Sequence, residues 1–576
     1  MKKSNKAKRL RKFVNTLLIA ALITQSIALL VTKNTALAST EPHGPLRRVV
    51  VTYRGVAATH PDADKLQKQA LDLQQRQTWL ASSLQQMSGY KKITMTYSQL
   101  PMVAMDVDDE GRDSLVDNPN ILSVKDDVFL KSKAVSFQYT PGVLGGNAAT
   151  GFTSGPDSFT GNNTAIVVLD SGVDKTQPSL AGQVVSEACY GSNGTYVNAI
   201  VESACPGGVN ESTAAGSGAP CASDCAHGTQ VASVAAMKSS TVAVGTDSVD
   251  VSGIAKSSKI VAIQINMKLT EVAGQPDICG DVGNEAESCY APSMSLALAG
   301  MNRALELQNS NGLGMPIVAV NNSNGSAPTH SDDSTCVAAD VDGLNTAAAA
   351  LKAKNIVTTV AAGNDGDLPI NYNKIMYPGC LSNVVGVSAA NANNKLTFYT
   401  NAGPLTDILA PGGDLSPGPV GDGGLLVADP GATFSAVMGT SFASPITAAA
   451  FSVIRQKTPD ASVDGILSGF KSTGTTVTED RTGYSSMQHK SINITAALSE
   501  SGSFAKYTPQ DAEVPVNPVT PSGNTSPTGS LAWVPGAPKA GVIGQAQSIA
   551  LIVITGILFV TFNLWTLKRG RQKGVR

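Results

Sequence analysis

Charged residues are scarce in this chain. They make up 15% of the 576 residues against 42% hydrophobic ones, which excludes both a disordered chain and a nucleic-acid-binding composition. Acidic residues are missing altogether from the two ends. Lys2, Lys3, Lys6, Lys8, Arg9, Arg11 and Lys12 open the chain, and Lys568, Arg569, Arg571, Lys573 and Arg576 close it. Setting these twelve cations aside leaves 30 bases against 44 acids, so the middle carries about −14. A middle of that sign does not favour polyanions, and no nucleic-acid partner is expected. There is no internal repeat and no nucleotide, haem or zinc motif. The nearest thing to a metal pair, Cys221-Ala-Ser-Asp-Cys225, lacks a second pair of ligands.

Both ends read as membrane signals. An apolar run over 13–31 follows the basic start, and Ala36 and Ala38 fit the small-x-small cleavage rule. Residues 1–38 are therefore expected to be a signal peptide cut after Ala38, with an uncleaved anchor as the alternative. At the other end no charge occurs between Ala540 and Leu567, and 546–567 is expected to be a transmembrane helix. Trp565 stands where an interfacial aromatic belongs, and the basic tail, 568–576, stays cytoplasmic by the positive-inside rule. The middle then lies outside the cell, held to the membrane by one span. A sorting signal removed after export is the alternative. Residues 503–545, rich in Pro, Ser, Thr and Gly, cannot bury a core and form a linker. All eight cysteines lie between Cys189 and Cys380, and an even count behind an export signal implies disulfides. Buried free thiols are the other reading.

Short apolar, β-branched runs at 164–169, 260–265, 317–320, 356–361 and 384–387 signal buried strands. Helical patterns intervene at 294–307, 344–354 and 444–456. The alternation predicts an α/β fold, a doubly wound, mostly parallel sheet with helices on both faces, over 136–502. Ligands bind such sheets beyond the carboxyl ends of the strands. Three motifs sit at such positions. Asp170 ends a strand and precedes Ser171-Gly172, although an Asp there can simply cap a turn. His227 opens His-Gly-Thr-Gln-Val-Ala, where a His can also cap the helix. Gly439-Thr440-Ser441-Phe442-Ala443-Ser444-Pro445 is more specific. Gly439 permits a close approach, Pro445 suits a first helical turn, and Ser441 lies at a helix N-terminus that favours a developing oxyanion.

In the order Asp, His, Ser, these motifs resemble those of the subtilisin-like serine peptidases, or subtilases, over about 164–461. The resemblance implies a catalytic triad of Asp170, His227 and Ser441. The chemistry needs these types: a serine hydroxyl is a poor nucleophile without a base, and neutral imidazole is that base near pH 7. It also implies that Asn364, after the strand 356–361, donates to the oxyanion, although Asn-Asp-Gly is also good turn chemistry. Ser323, Asn324 and Gly325 match the segment that pairs with the substrate backbone and lines the S1 pocket. The family more often has a larger apolar residue where Asn324 stands, so no preference for large apolar P1 side chains is assigned. Gln177-Pro178-Ser179-Leu180 departs from the family's His-Pro-Asp-Leu, beyond the triad. Cys336 and Cys380 resemble a disulfide pair of some secreted subtilases. Neighbour pairing adds Cys189–Cys205, Cys221–Cys225 and Cys279–Cys289, three guesses within the 105 connectivities open to eight cysteines.

The region before the protease reads β-α-β-β-α-β: strands at 48–53, 93–97, 102–107 and 121–128, helices at 63–84 and 111–118. It resembles the inhibitor-like propeptide of subtilases, over 46–131. A permanent accessory domain is the alternative. In the family this domain assists folding, blocks the site and is cut off by the enzyme, here between about 131 and 145. The expected protein is a self-processing serine endopeptidase acting on extracytoplasmic polypeptides, with its own propeptide as intramolecular inhibitor. It is expected to be a monomer and to require no cofactor. Calcium is common in the family, but no loop clusters enough oxygen ligands to name a site. The competing class is a catalytically inactive surface-binding module on the same fold.

Overall fold

The computed structural model describes residues 38–39, 41–60, 62–132, 135–137, 159–196, 199–244, 247–272, 279, 288–339, 343–416 and 424–509. The expected signal peptide up to residue 37, most of the linker, the membrane span at 546–567 and the basic tail lie outside these residues. Among the described residues no helix is long and apolar enough to cross a membrane.

The first unit is built from β1 (Arg47–Tyr53), α1 (Ala63–Leu84), β2 (Gly89–Thr96), β3 (Met102–Val107), α2 (Asp109–Val116) and β4 (Ile121–Asp126). The four strands run antiparallel in the order β2-β3-β1-β4, and the two residues Ala38–Ser39 add a short parallel strand beside β2. Helix α1 starts at Asp62, whose carboxylate accepts the amides of Asp64 and Lys65. It buries Leu73, Leu80 and Leu84, one stripe at helical spacing. Alternate strand residues take opposite sides. Val49, Val51, Val103 and Met105 join that stripe, whereas Val50, Met102 and Ala104 join the core of the next unit. Both faces of β3 are therefore dry, and all six of its residues are buried.

Two short strands follow. β5 (Lys131–Ser132) and β6 (Val135–Phe137) pair with strands of the second unit. That unit centres on eight parallel strands: β7 (Ala165–Asp170), β8 (Val184–Tyr190), β9 (Lys259–Gln264), β10 (Ile317–Asn322), β12 (Val357–Ala361), β14 (Val385–Ala390), β15 (Ile408–Pro411) and β19 (Gln488–Ser491). Their order is β8-β9-β7-β10-β12-β14-β15-β19, and an antiparallel edge strand flanks each end, Glu211–Ser212 on one side and β18 (Thr475–Thr478) on the other. Ile166 and Val168 of β7 pack towards α3 (His227–Ala236) and α6 (Thr440–Lys457). Ala165, Val167 and Leu169 pack towards α4 (Met294–Asn309) and α5 (Leu344–Ala353). Both faces are covered, as the continuous apolar run requires. From β7 the chain places β8 and β9 on one side, then crosses over and places β10 and the later parallel strands on the other. Asp170 thus ends the strand at which the winding reverses.

Four further strands matter for the site. β11 (Asn324–His330) pairs with β13 (Ile375–Tyr377), and β16 (Leu425–Asp429) forms a hairpin with β17 (Thr433–Met438). The second unit closes later than the expected boundary at 502. Phe504 is buried, and Tyr507 bonds through its amide to Asp460 O and through its hydroxyl to Ala353 O, both at 2.7 Å. The four disulfides are Cys189–Cys205, Cys221–Cys225, Cys279–Cys289 and Cys336–Cys380.

Candidate active site

Asp170 is fully buried at the end of β7. Its Oδ1 accepts the Ser171 amide at 2.7 Å and lies 2.8 Å from His227 Nδ1. His227 is the first residue of α3. The two elements meet backbone to backbone. Gly172 has φ +96°, and a Cβ there would overlap the Ala219 carbonyl; a Cβ on Gly228 would overlap the Gly172 carbonyl. Ser171 fastens the junction. Its Oγ accepts the Gly228 amide at 2.9 Å and donates to Cys225 O at 3.4 Å, while its carbonyl accepts the Cys221 amide at 2.9 Å. Both ends of the small Cys221–Cys225 ring therefore rest on the residue next to Asp170. The departure at Gln177 is absorbed locally. Gln177 Oε1 accepts the Ser179 amide at 2.8 Å, and its Nε2 reaches the Asp429 and Thr433 carbonyls at the turn between β16 and β17.

Ser441 is the second residue of α6 and is buried. Its Oγ donates to Ser323 O at 3.2 Å. His227 Nε2 has no hydrogen-bond partner among the described residues, and its ring stands 5.7 Å from that of Phe442, the residue after Ser441. Pro445 is not in the first turn of α6 as expected but is its sixth residue. Its missing N–H is therefore one that α6 would have used, and the carbonyl deprived is that of Ser441, four residues back. The Ser323 hydroxyl supplies the replacement, donating to Ser441 O at 2.8 Å.

Asn364 follows β12, and its Oδ1 accepts both the amide and the hydroxyl of Thr440 at 2.8 Å. Those two donors fix the amide orientation, because only the oxygen can accept them. The Nδ2 end accordingly points away from Thr440. Asn324 turns its side chain inward: it is fully buried and donates to Leu169 O at 3.2 Å and Asn322 Oδ1 at 3.0 Å. Its backbone faces outward. Asn324 pairs with Ser132 and Gly325 with Lys131, antiparallel. On the other side of Ser441, Met438 pairs with Val135 and Ala436 with Phe137. The structure thus brings Asp170, His227, Asn364, Ser441 and the 323–325 segment to one end of the sheet. Ser171 and Thr440 carry no sequence signal as supports, although Thr440 lies inside the Gly-Thr-Ser motif. No group of three or more His, Cys, Asp or Glu among the described residues is placed to hold a metal ion.

The model of the Subtilase family matches residues 161–488. The chain belongs to this family, and it is a serine endopeptidase. An intracellular serine protease of Paenibacillus polymyxa is 32% identical over 117 residues, 20% of this chain and only 33% of that protein. An alkaline protease of Shouchella clausii is 23% identical over 381 residues, 66% of this chain and 76% of that one. Among solved structures, fervidolysin from Fervidobacterium pennivorans, a keratinolytic enzyme related to subtilisin, aligns with a TM-score of 0.46 at 18% identity, over 81% of this chain and 63% of that one.

Proposed function

We propose that the protein is made as a precursor and, once matured, hydrolyses peptide bonds of extracytoplasmic proteins through an acyl-enzyme on Ser441. His227 takes the Oγ proton on Nε2. Asp170 holds the Nδ1–H tautomer and stabilises the imidazolium that forms. Oγ attacks the scissile carbonyl carbon, and the oxyanion is held by Asn364 Nδ2 and the Ser441 amide at the start of α6. The imidazolium gives its proton to the leaving amine. A water deprotonated by the same imidazole then attacks the ester and releases the acid. The observation that carries this reading is the 2.8 Å Asp170–His227 pair set beside the first turn of the helix that bears Ser441. The reaction requires Ser441 Oγ to leave the Ser323 carbonyl for the imidazole. Catalytic hydrogen bonds commonly tighten in this way only with substrate bound.

Residues 46–131 act as the intramolecular inhibitor. Three observations support this role. β5 and β6 pair with strands on either side of Ser441, as an extended substrate does. Val50, Met102 and Ala104 pack into the core beside α4 and α5. Asp127 caps α4, accepting the Ser295 amide at 2.8 Å and its hydroxyl at 2.6 Å, where the N-cap Ser293 makes no side-chain cap bond. Residues 1–38 direct export, 508–545 form the stalk, and 546–567 tether the enzyme, with 568–576 inside the cell. Structural calcium is compatible with this reading without an assigned residue, and a monomer suffices.

Ser441→Ala in the purified full-length chain should abolish peptide hydrolysis, abolish labelling by a fluorophosphonate and leave the precursor uncut. Maturation of that purified variant refutes self-processing. A wild-type protein that neither labels nor hydrolyses is the inactive binding module instead.

A further inference from the structure

Beyond the ends of β10 and β12 the two neighbouring chains separate, as Ser323–Gly325 and Ala362–Asn364, and leave a crevice. Ser441 lies at its mouth. Its Oγ is on the Ser323 carbonyl of one wall, and the Gly363 amide of the other wall donates to Thr440 Oγ1 at 3.2 Å. The crevice has a floor. β13 runs beneath it, with the Met376 amide on Ala362 O at 2.8 Å and the Tyr377 carbonyl 3.1 Å from where a Gly325 Cβ would be. Met376 directs its side chain into the space between the two glycines. A Cβ on Gly363 would overlap Met376 Cγ and Sδ, and one on Gly325 would lie 3.7 Å from Met376 Cβ. The Gly363 wall is stripped to backbone where this thioether sits, and the Gly325 wall where the Met376 side chain begins.

We infer that Met376 is a specificity-determining residue that makes the crevice shallow, so that the enzyme prefers peptides with a small side chain, such as Ala or Ser, on the acyl side of the scissile bond. The inference rests on Ser441 being the nucleophile. A residue whose carbonyl meets Ser441, with its backbone laid on Asn324–Gly325, has its side chain aimed between Gly325 and Gly363. Met376 fills the depth that a Phe or Leu side chain needs. Each missing or surplus methylene in such a pocket changes selectivity by roughly 10–200-fold.

The test is a series of otherwise identical peptides with Ala, Ser, Leu or Phe at that position, hydrolysed by matured wild-type enzyme and by Met376→Ala. Wild type should favour Ala over Phe by tenfold or more in kcat/KM. The variant should raise the Phe-to-Ala and Leu-to-Ala ratios of kcat/KM by at least tenfold. The ratio within one enzyme preparation does not depend on how much of it is folded, and the wild-type series alone decides should the variant not mature. A wild-type preference for Phe or Leu, equal rates across the series, or an unchanged ratio in Met376→Ala overturns the proposal. Labelling by a small fluorophosphonate depends on the nucleophile and not on crevice depth, so it separates failure of this inference from failure of the serine-peptidase reading.

Discussion

Two of the disulfides should fail in opposite ways when removed. Cys336–Cys380 closes a separation of 44 residues and Cys221–Cys225 one of 4. Loop-closure entropy then assigns about 4 kcal/mol of stability to the first bridge and about 2 kcal/mol to the second. Catalysis should rank them the other way. No bond of the long-range pair reaches the triad, whereas the small ring rests at both ends on Ser171, whose amide holds Asp170 Oδ1 and whose hydroxyl holds the amide after His227. Loosening that ring lets the imidazole drift from the carboxylate, and a displacement of about 1 Å in such a site costs on the order of a hundredfold in rate. Cys336→Ala/Cys380→Ala should therefore lower the urea midpoint the more, with kcat per titrated active site unchanged. Cys221→Ala/Cys225→Ala should lower it less, yet reduce kcat ten- to a hundredfold with KM nearly constant. The assay is active-site titration followed by peptide kinetics on each matured enzyme, beside urea unfolding. An unaltered kcat in the Cys221/Cys225 variant, or a larger kcat loss in the Cys336/Cys380 variant, refutes the reasoning.

Two other outcomes follow from the same coordinates. Ser323→Ala removes the hydroxyl that donates to Ser441 O and should destabilise the protein by about 1–3 kcal/mol. In a Pro445→Ala background α6 regains its own N–H for that carbonyl, so the same change should cost less; a double-mutant cycle with no coupling contradicts this account. Asp174 supplies a pH dependence. Partial burial raises its carboxyl, but the Thr176 hydroxyl, the Gly431 amide and the Thr176 and Gln177 amides outweigh this and hold it below the usual carboxylate value. A depressed native pKa stabilises the fold above about pH 4, and that contribution is lost as pH falls through the native value. Asp174→Asn should lower Tm at neutral pH, with the difference shrinking in acid; a difference that grows in acid reverses the sign and refutes the assignment.

Legibility followed chemistry and burial. The five runs read as buried strands are the contiguous centre β9-β7-β10-β12-β14, because strands covered on both faces must be apolar throughout. β8 and β19 escaped notice because Val-Val-Ser-Glu-Ala-Cys-Tyr and Gln-His-Lys-Ser carry polar residues, which strands next to the edges tolerate. Helix α1 spans the expected 63–84, and the structure adds Asp62 as its cap. Pro445 misled, since a helix-start rule based on local chain geometry cannot see a hydroxyl 122 residues away that satisfies the carbonyl it orphans. The four disulfides formed between the expected partners, three of them near neighbours. The supports of the site stayed hidden because Ser171 and Thr440 act through bonds that only the assembled fold creates.

The two dry faces of β3 also set the fate of the first unit after separation. Its thin sheet can shelter one side beneath α1 and α2, but Val50, Met102 and Ala104 would then confront water with no cover of their own. Under the proposed cleavage, detachment and loosening would be coupled: a fragment leaving its seat would become a poorly folded target for the peptidase, and the proposed activation would run in one direction.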